Sequence, residues 1–106
     1  MAKYLIKASY GAEGTRGLIK EGGSARRDAV KKLVEGLGGK LDAFYYAYGD
    51  VDAYVILDVP NVTDGLALGL AVNASGAVHL TTTPLITPEE IDAAAKKSIA
   101  YRAPGA

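Results

Sequence analysis

Tyr45-Tyr46-Ala47-Tyr48-Gly49-Asp50-Val51-Asp52-Ala53-Tyr54-Val55-Ile56-Leu57-Asp58-Val59-Pro60 reads as the end of one strand, a turn and a complete second strand. Ala53, Val55, Leu57 and Val59 make one wholly apolar face, with Tyr54, Ile56 and Asp58 on the other. Pro60 has no N–H to give a ladder and ends the run. Gly49 to Asp52 supplies the turn, since glycine and aspartate both tolerate its backbone angles. Upstream, Lys40 to Tyr48 also alternates. Leu41, Ala43, Tyr45 and Ala47 share one face; Asp42, Phe44, Tyr46 and Tyr48 share the other. A hairpin therefore sits at the centre of the chain and joins two halves.

The two halves have similar layouts. In the first, Lys3 to Tyr10 alternates, with Tyr4, Ile6, Ala8 and Tyr10 opposed to Lys3, Leu5, Lys7 and Ser9. Gly11 to Gly23 is punctuated by glycine and leaves room for one or two helical turns around Arg16 to Glu21. Ser24 is a suitable N-cap for the helix that follows. There Val30, Leu33, Val34 and Leu37 fall at i, i+3, i+4 and i+7, one apolar stripe, and Gly38-Gly39 closes the helix.

In the second half, Thr63 is expected to cap a helix running to about Ala74. Leu66, Leu68, Leu70, Ala71 and Val72 leave it almost no polar side. Gly65 and Gly69 weaken it as a helix, which implies close packing. After Gly76, Ala77 to Thr83 is a strand, with Val78 and Leu80 against His79, Thr81 and Thr83. Thr87-Pro88-Glu89-Glu90 is a cap, a first-turn proline and a capping box. The helix it starts is expected to reach about Ala100, followed by a tail over 101–106.

The order β-α-β, β-α-β and helix predicts a single domain over 1–106, with a core over 3–84 and a C-terminal helix over 87–100. It is the split pattern of a ferredoxin-like α+β sandwich. The expected strand order is 4-1-3-2, with both long helices on one face.

That arrangement leaves a face uncovered. The apolar sets beginning at Ala53 and Val78 suit the helices. The opposite face is then expected to carry Leu5, Phe44, Tyr46, Tyr48, Tyr54 and Ile56. Burying each such side chain is worth about 1.5–3 kcal/mol, and an apolar patch of that extent is more than monomers normally show. A second copy, sheet to sheet, is the simplest cover. The alternative within one chain is that the C-terminal helix folds back over the sheet. The very apolar second long helix also needs a cover, and the same C-terminal helix is a candidate for it.

Composition narrows the functions. Twelve basic and twelve acidic residues cancel, so no overall field attracts polyanions, and nucleic acid is not an expected partner. The cluster Arg26, Arg27, Lys31 and Lys32 reads as the solvated face of a helix. The chain has no cysteine, which removes thiolate metal sites, disulfides and cysteine nucleophiles. A cytoplasmic location is the expectation. The start runs straight into a strand without a signal-peptide pattern, and no apolar run is long enough for a membrane. Gly11-Ala12-Glu13-Gly14 lacks the spacing and the Lys-Ser/Thr ending of a phosphate loop.

Several residues are candidates for chemistry. His79 is the only histidine, on the face opposite the helices, with Lys7, Tyr46, Tyr54 and Asp58 as expected neighbours. It reads either as a hydrogen-bonded interface residue or as a base or ligand holder. One histidine without cysteine partners gives no metal site. Lys7 and Asp58 read either as an ion pair across the sheet or as polar anchors of a small-molecule pocket. Tyr45, Tyr46, Tyr48 and Tyr54 read as packing aromatics or as a platform for a planar ligand. Asp50 and Asp52 read as turn formers.

With these stretches in view, the chain resembles the GYD domain family over nearly its whole length. The stretches are Tyr4-Leu5-Ile6, the Gly14 turn, Arg26 at the start of the first long helix, Gly38-Gly39, the hairpin Tyr48-Gly49-Asp50-Val51-Asp52, and Leu66 to Gly76. At the hairpin Gly49 and Asp52 match, and Val51 stands where the family's tyrosine is expected. The resemblance extends to dimeric α+β barrels, which include cofactor-free monooxygenases and small stress-response proteins. It implies the fold and the dimer, and carries no activity over; a homodimer or higher oligomer and no cofactor are the expectations.

Three functions remain. One is a module that binds a small molecule or a partner. The second, by fold analogy, is a cofactor-independent, monooxygenase-like enzyme on a hydrophobic or aromatic substrate, using Tyr46, His79 and Arg26. The third is a structural assembly unit. Lys7, Tyr54 and Asp58 are the ligand-binding candidates. A cavity beside His79 or Arg26 favours the first two, and a closed, dry sheet interface favours the third.

Overall fold

A computed structural model describes residues 2–106. In chain order it contains β1 (Ala2–Tyr10), α1 (Ala12–Glu21), α2 (Gly23–Gly36), β2 (Lys40–Tyr46), β3 (Ala53–Val59), α3 (Val62–Ala74), β4 (Val78–Leu85) and α4 (Pro88–Ala95). The four strands form one antiparallel sheet in the order β2-β3-β1-β4, which is the expected order read from the other edge. The fold is ferredoxin-like α+β.

The alternation of β1 and β3 decides the layers. Tyr4 pairs with Leu57, Ile6 with Val55 and Ala8 with Ala53, and all six are buried beneath the helices. Val34 of α2 and Leu68 of α3 close over them, and Val78 extends the core into β4. The most enclosed large side chains are Leu57, Val34 and Val59. Gly65 of α3 lies directly against the Tyr4 ring, the close approach that its place in an apolar helix implies.

The structure corrects four expectations. The segment after β1 is a full helix of ten residues, α1, rather than one or two turns. Its glycines hide it in the sequence, but Gly14 is there for proximity. A Cβ at that position would run into the backbone carbonyl of Ala77, while Gly11 N–H donates to that carbonyl at 3.0 Å. Second, the helix caps shift. Gly22, at φ 88°, precedes α2 in place of a Ser24 cap. The Asp64 carboxylate accepts the Asn61 N–H at 3.2 Å ahead of α3, where Thr63 was the expected cap.

Third, β2 is bulged. Leu41 pairs with Leu57 but Ala43 pairs with Ile56, so Asp42 is an extra residue. A bulge reverses the parity of everything beyond it. Leu41 and Phe44 therefore both turn to the helix side, against Leu57 and Val55, and Tyr45 opposes Tyr54 on the other face. Phe44 and Tyr46 do not lie on the open face, and Tyr48 stands in the hairpin turn, fully exposed.

Fourth, α4 ends at Ala95 rather than near Ala100. Its cap is as expected: Thr87 Oγ1 accepts Glu90 N–H at 3.0 Å, and Glu90 Oε1 accepts Thr87 N–H at 3.1 Å. Every residue from Ile86 to Ala106 is exposed. The helix covers neither the sheet nor α3, and a helix of that length held only by its cap has little to extend it. The radius of gyration, 17.1 Å, exceeds the ~13 Å of a compact domain this long because this arm projects.

Candidate functional site

The helix side of the sheet holds a half-open cavity of about 190 Å³. Its floor is Ile6, Ala8, Ala53 and Val55 from the two central strands, flanked by Phe44 and Leu80. Its roof is Val30 and Leu33 of α2 with Leu68 and Val72 of α3. Alanines on the floor are too short to fill the gap between the two helices. Only Tyr10 and Arg26 bring polar side chains to the lining, which contains no histidine and no carboxylate side chain. A wider groove between α1, α2 and α3 shares Tyr10, Arg26, Leu33, Val72 and Val78 with the cavity and lies beside it.

Each residue at this mouth has a local reason for its place. Tyr10 ends β1 on the buried parity of Tyr4, Ile6 and Ala8. Its N–H donates to the Asp52 carboxylate at 2.7 Å, while Asp52 N–H donates to the Ala8 carbonyl at 2.8 Å. Asp52 thus ties the β2–β3 turn to the end of β1, and it does more than form a turn. Arg26 lies in the first turn of α2 and is half-buried. Among the described residues the ion pairs engage Lys3, Arg27 and Lys40, and Arg26 is in none of them. The Tyr46 hydroxyl donates to the Gly23 carbonyl at 3.0 Å, and its ring meets Phe44 edge-on at 5.2 Å. Burial, then the neighbouring Tyr10 phenol, push the Tyr46 pKa up, against a weaker pull from Arg26 and Arg27.

The open face of the sheet is different in kind. Rungs across it read Tyr45, Tyr54, Lys7 and Thr81, then Ala43, Ile56, Leu5 and Thr83. His79 pairs with Ser9 at the end of this face and is exposed. At the far end Lys3 bridges Asp42 and, at 3.1 Å, Asp58. The expected Lys7–Asp58 pair is therefore not formed. The antiparallel register sets Asp58 beside Lys3 and sets Lys7 beside Tyr54. The Lys3 ammonium holds the Asp42 carboxyl below its ordinary range, and the same contact raises the Lys3 pKa.

The sequence-derived candidates thus separate. Lys7, Tyr54, Asp58 and His79 share the open face, while Arg26 and Tyr46 stand on the helix side. The trio His79, Tyr46 and Arg26 is not assembled. Sequence reasoning missed Tyr10, whose signal was present: a phenol ending an otherwise apolar stripe. It also missed Phe44 as a cavity wall, because the bulge that turns Phe44 inward leaves no mark in a two-residue alternation. Among the described residues no three histidine or acidic side chains gather as a metal-ligand set, and no helix is long and apolar enough to cross a membrane.

The family model described as the GYD domain matches residues 4–95. The chain belongs to the GYD domain family. No curated protein and no solved structure matches it.

Proposed function

We propose that this GYD-domain chain is a binding module for a small, mainly apolar molecule held between the sheet and the helices α2 and α3, and that it works as a homodimer paired through its open sheet face. One observation carries the first part: an apolar cavity with a groove beside it and, lining both, a charged side chain without an ion-pair partner among the described residues. Binding pockets have this composition, apolar walls with a few polar groups. An apolar cavity of about 150 Å³ is enough to hold benzene, so about 190 Å³ suits a single ring or a short chain.

Binding is favoured over catalysis by what the walls lack. General acid–base work needs a titratable group within reach of the reacting atom. The cavity offers a phenol and a guanidinium, with the histidine on the other side of the sheet. The dimer is supported by the open face. Tyr45 is 71% exposed, and Tyr54, Ile56 and Leu5 lie beside it with nothing from α4 to cover them.

The test is a pair of measurements on the intact protein. Native mass spectrometry is expected to show a dimer that retains a small molecule from its expression host. Benzyl alcohol is expected to raise the melting temperature of the wild type and not that of Val30→Phe, whose larger ring enters the cavity. A monomer at high concentration overturns the dimer, and an equal response in both chains overturns the cavity.

A further inference from the structure

Resting on the cavity reading, we infer that the ligand is a small amphipathic monocarboxylate, with its apolar body in the cavity and its carboxylate on Arg26. The argument begins with the arginine. A guanidinium keeps its charge at any physiological pH and presents its donors as a planar fork that matches a carboxylate. Partly buried arginines usually find an acidic partner, because an unpaired charge taken from water is costly. Arg27, the next residue, has one: its Nε lies 3.2 Å from Asp28 Oδ1. Arg26 has none among the described residues, although it is the less exposed of the two. An anion arriving from solution would meet a positive group whose donors are not already taken.

Position and size then narrow the class. Arg26 lines both the inner cavity and the outer groove, so it stands on the boundary between the two. A ligand reaching it from inside leaves its head at the mouth and its body among Val30, Phe44, Leu68 and Val72. The Tyr10 phenol lines the same two spaces and offers the head a second donor. The inner volume limits the body to one ring or about six to eight carbon atoms, by comparison with the cavity that holds benzene. Glu13 and Glu21 line the outer groove beyond Arg26. Their charges oppose di- and polyanions, whose second charge would have to sit in that groove, and so favour a single negative charge.

The experiment compares matched probes by calorimetry or by amide chemical shifts: benzoate against benzyl alcohol, and hexanoate against hexanol. The wild type is expected to prefer each acid to its alcohol. Arg26→Gln is expected to weaken the acids about tenfold, as a lost hydrogen bond to a charged group does, and to leave the alcohols unchanged. Arg26→Lys keeps the charge and is expected to retain part of the preference, which a folding defect would not. Higher salt is expected to reduce the preference in the wild type. Alcohols that bind as well as acids, or a preference that survives in Arg26→Gln, overturn the carboxylate while the cavity reading stands. If none of the four probes binds, or if Val30→Phe binds them all undiminished, the cavity reading falls and this inference falls with it.

Discussion

Leu57 and Ile56 are neighbours on one strand and live in different surroundings. Leu57 faces the helices and is 1% exposed; Ile56 faces away and remains partly open to water. The same contrast runs along β1, between Tyr4, Ile6 and Ala8 on one side and Leu5, Lys7 and Ser9 on the other. The helix side is apolar but for the Tyr10, Tyr46 and Arg26 side chains near its edge, and it holds a gap. The open side mixes aliphatic, aromatic, hydroxyl and charged groups, with an ion-pair cluster at one end. A surface made only to be buried has no use for Lys7, and a surface made only for water has no use for Ile56 beside Tyr54. The mixture of apolar and polar groups is compatible with the dimer face proposed above, since association surfaces are about as apolar as the rest of a protein's surface.

The largest expected effect tests that division directly. Leu57→Ala should cost about 2–5 kcal/mol, the range for truncating a fully buried leucine. Ile56→Ala should cost clearly less in a dilute monomer and should weaken dimerisation instead. Urea denaturation at two protein concentrations reads both. Equal, concentration-independent losses from the two substitutions would mean that the faces are not different in kind.

How much of this was legible follows from what a two-residue period can and cannot carry. In β1 and β3 the alternation is unbroken, and the sequence assigns Tyr4, Ile6, Ala8, Ala53, Val55, Leu57 and Val59 to one face, where the structure has them. In β2 the period is interrupted at Asp42. Counting from the turn and counting from Lys40 give opposite answers there, and only pairing with β3 decides. The glycines of α1 misled for another reason. Helix propensity counts Gly14 as a cost, whereas the Ala77 carbonyl makes it a steric requirement. The cavity was not legible, since its existence depends on how far α2 and α3 stand apart over Ala8 and Ala53. Arg26 was marked by its place at the start of a helix, but its lack of an acidic partner is a three-dimensional fact.

A second prediction separates the faces by association rather than by stability. Tyr54→Glu introduces a charge at the centre of the open face, where Tyr54 lies between Tyr45 and Lys7. A dimer formed there should dissociate at least about tenfold more readily, since a carboxylate, even one beside Lys7, loses its water when a second copy covers it. The folding of the monomer should change little. Sedimentation velocity reads the first and circular dichroism the second. A dimer unaffected by Tyr54→Glu would put the interface elsewhere and leave the open face unexplained.

On the helix side, a smaller effect of opposite sign is expected from Val30→Phe. Core cavities cost roughly 24 cal/mol per Å³, so filling part of this one should leave the chain as stable as the wild type or about 1 kcal/mol more stable. Binding of benzyl alcohol should be lost at the same time. Stability gained as binding is lost is the mark of a gap kept for a ligand. A destabilisation of about 1–3 kcal/mol, the usual result of overpacking, would instead mean that the space is too narrow to receive a ring.

The smallest effect concerns the polar end of the open face. The Asp42 carboxyl is held below its ordinary range chiefly by its hydrogen bond from the Lys3 ammonium, with burial opposing and Lys40 assisting. A carboxyl depressed in the folded chain contributes stability that is fully present above its unfolded value, near 3.9, and that is lost as pH falls through its folded value. Lys3 is raised in turn, chiefly by Asp42 and then Asp58, so its contribution is complete below its unfolded value and is lost only as pH rises through the raised one. Between the two the contribution is flat. Urea midpoints of wild type and Asp42→Asn should therefore differ by a constant small amount at neutral pH and converge in acid, with the gap reduced by salt. The gap should also widen at concentrations where a second copy covers this face, because a pair removed from water is screened less. An offset that persists unchanged into acid would assign the effect to the shape of the bulge at Asp42 and remove charge from the account of this face.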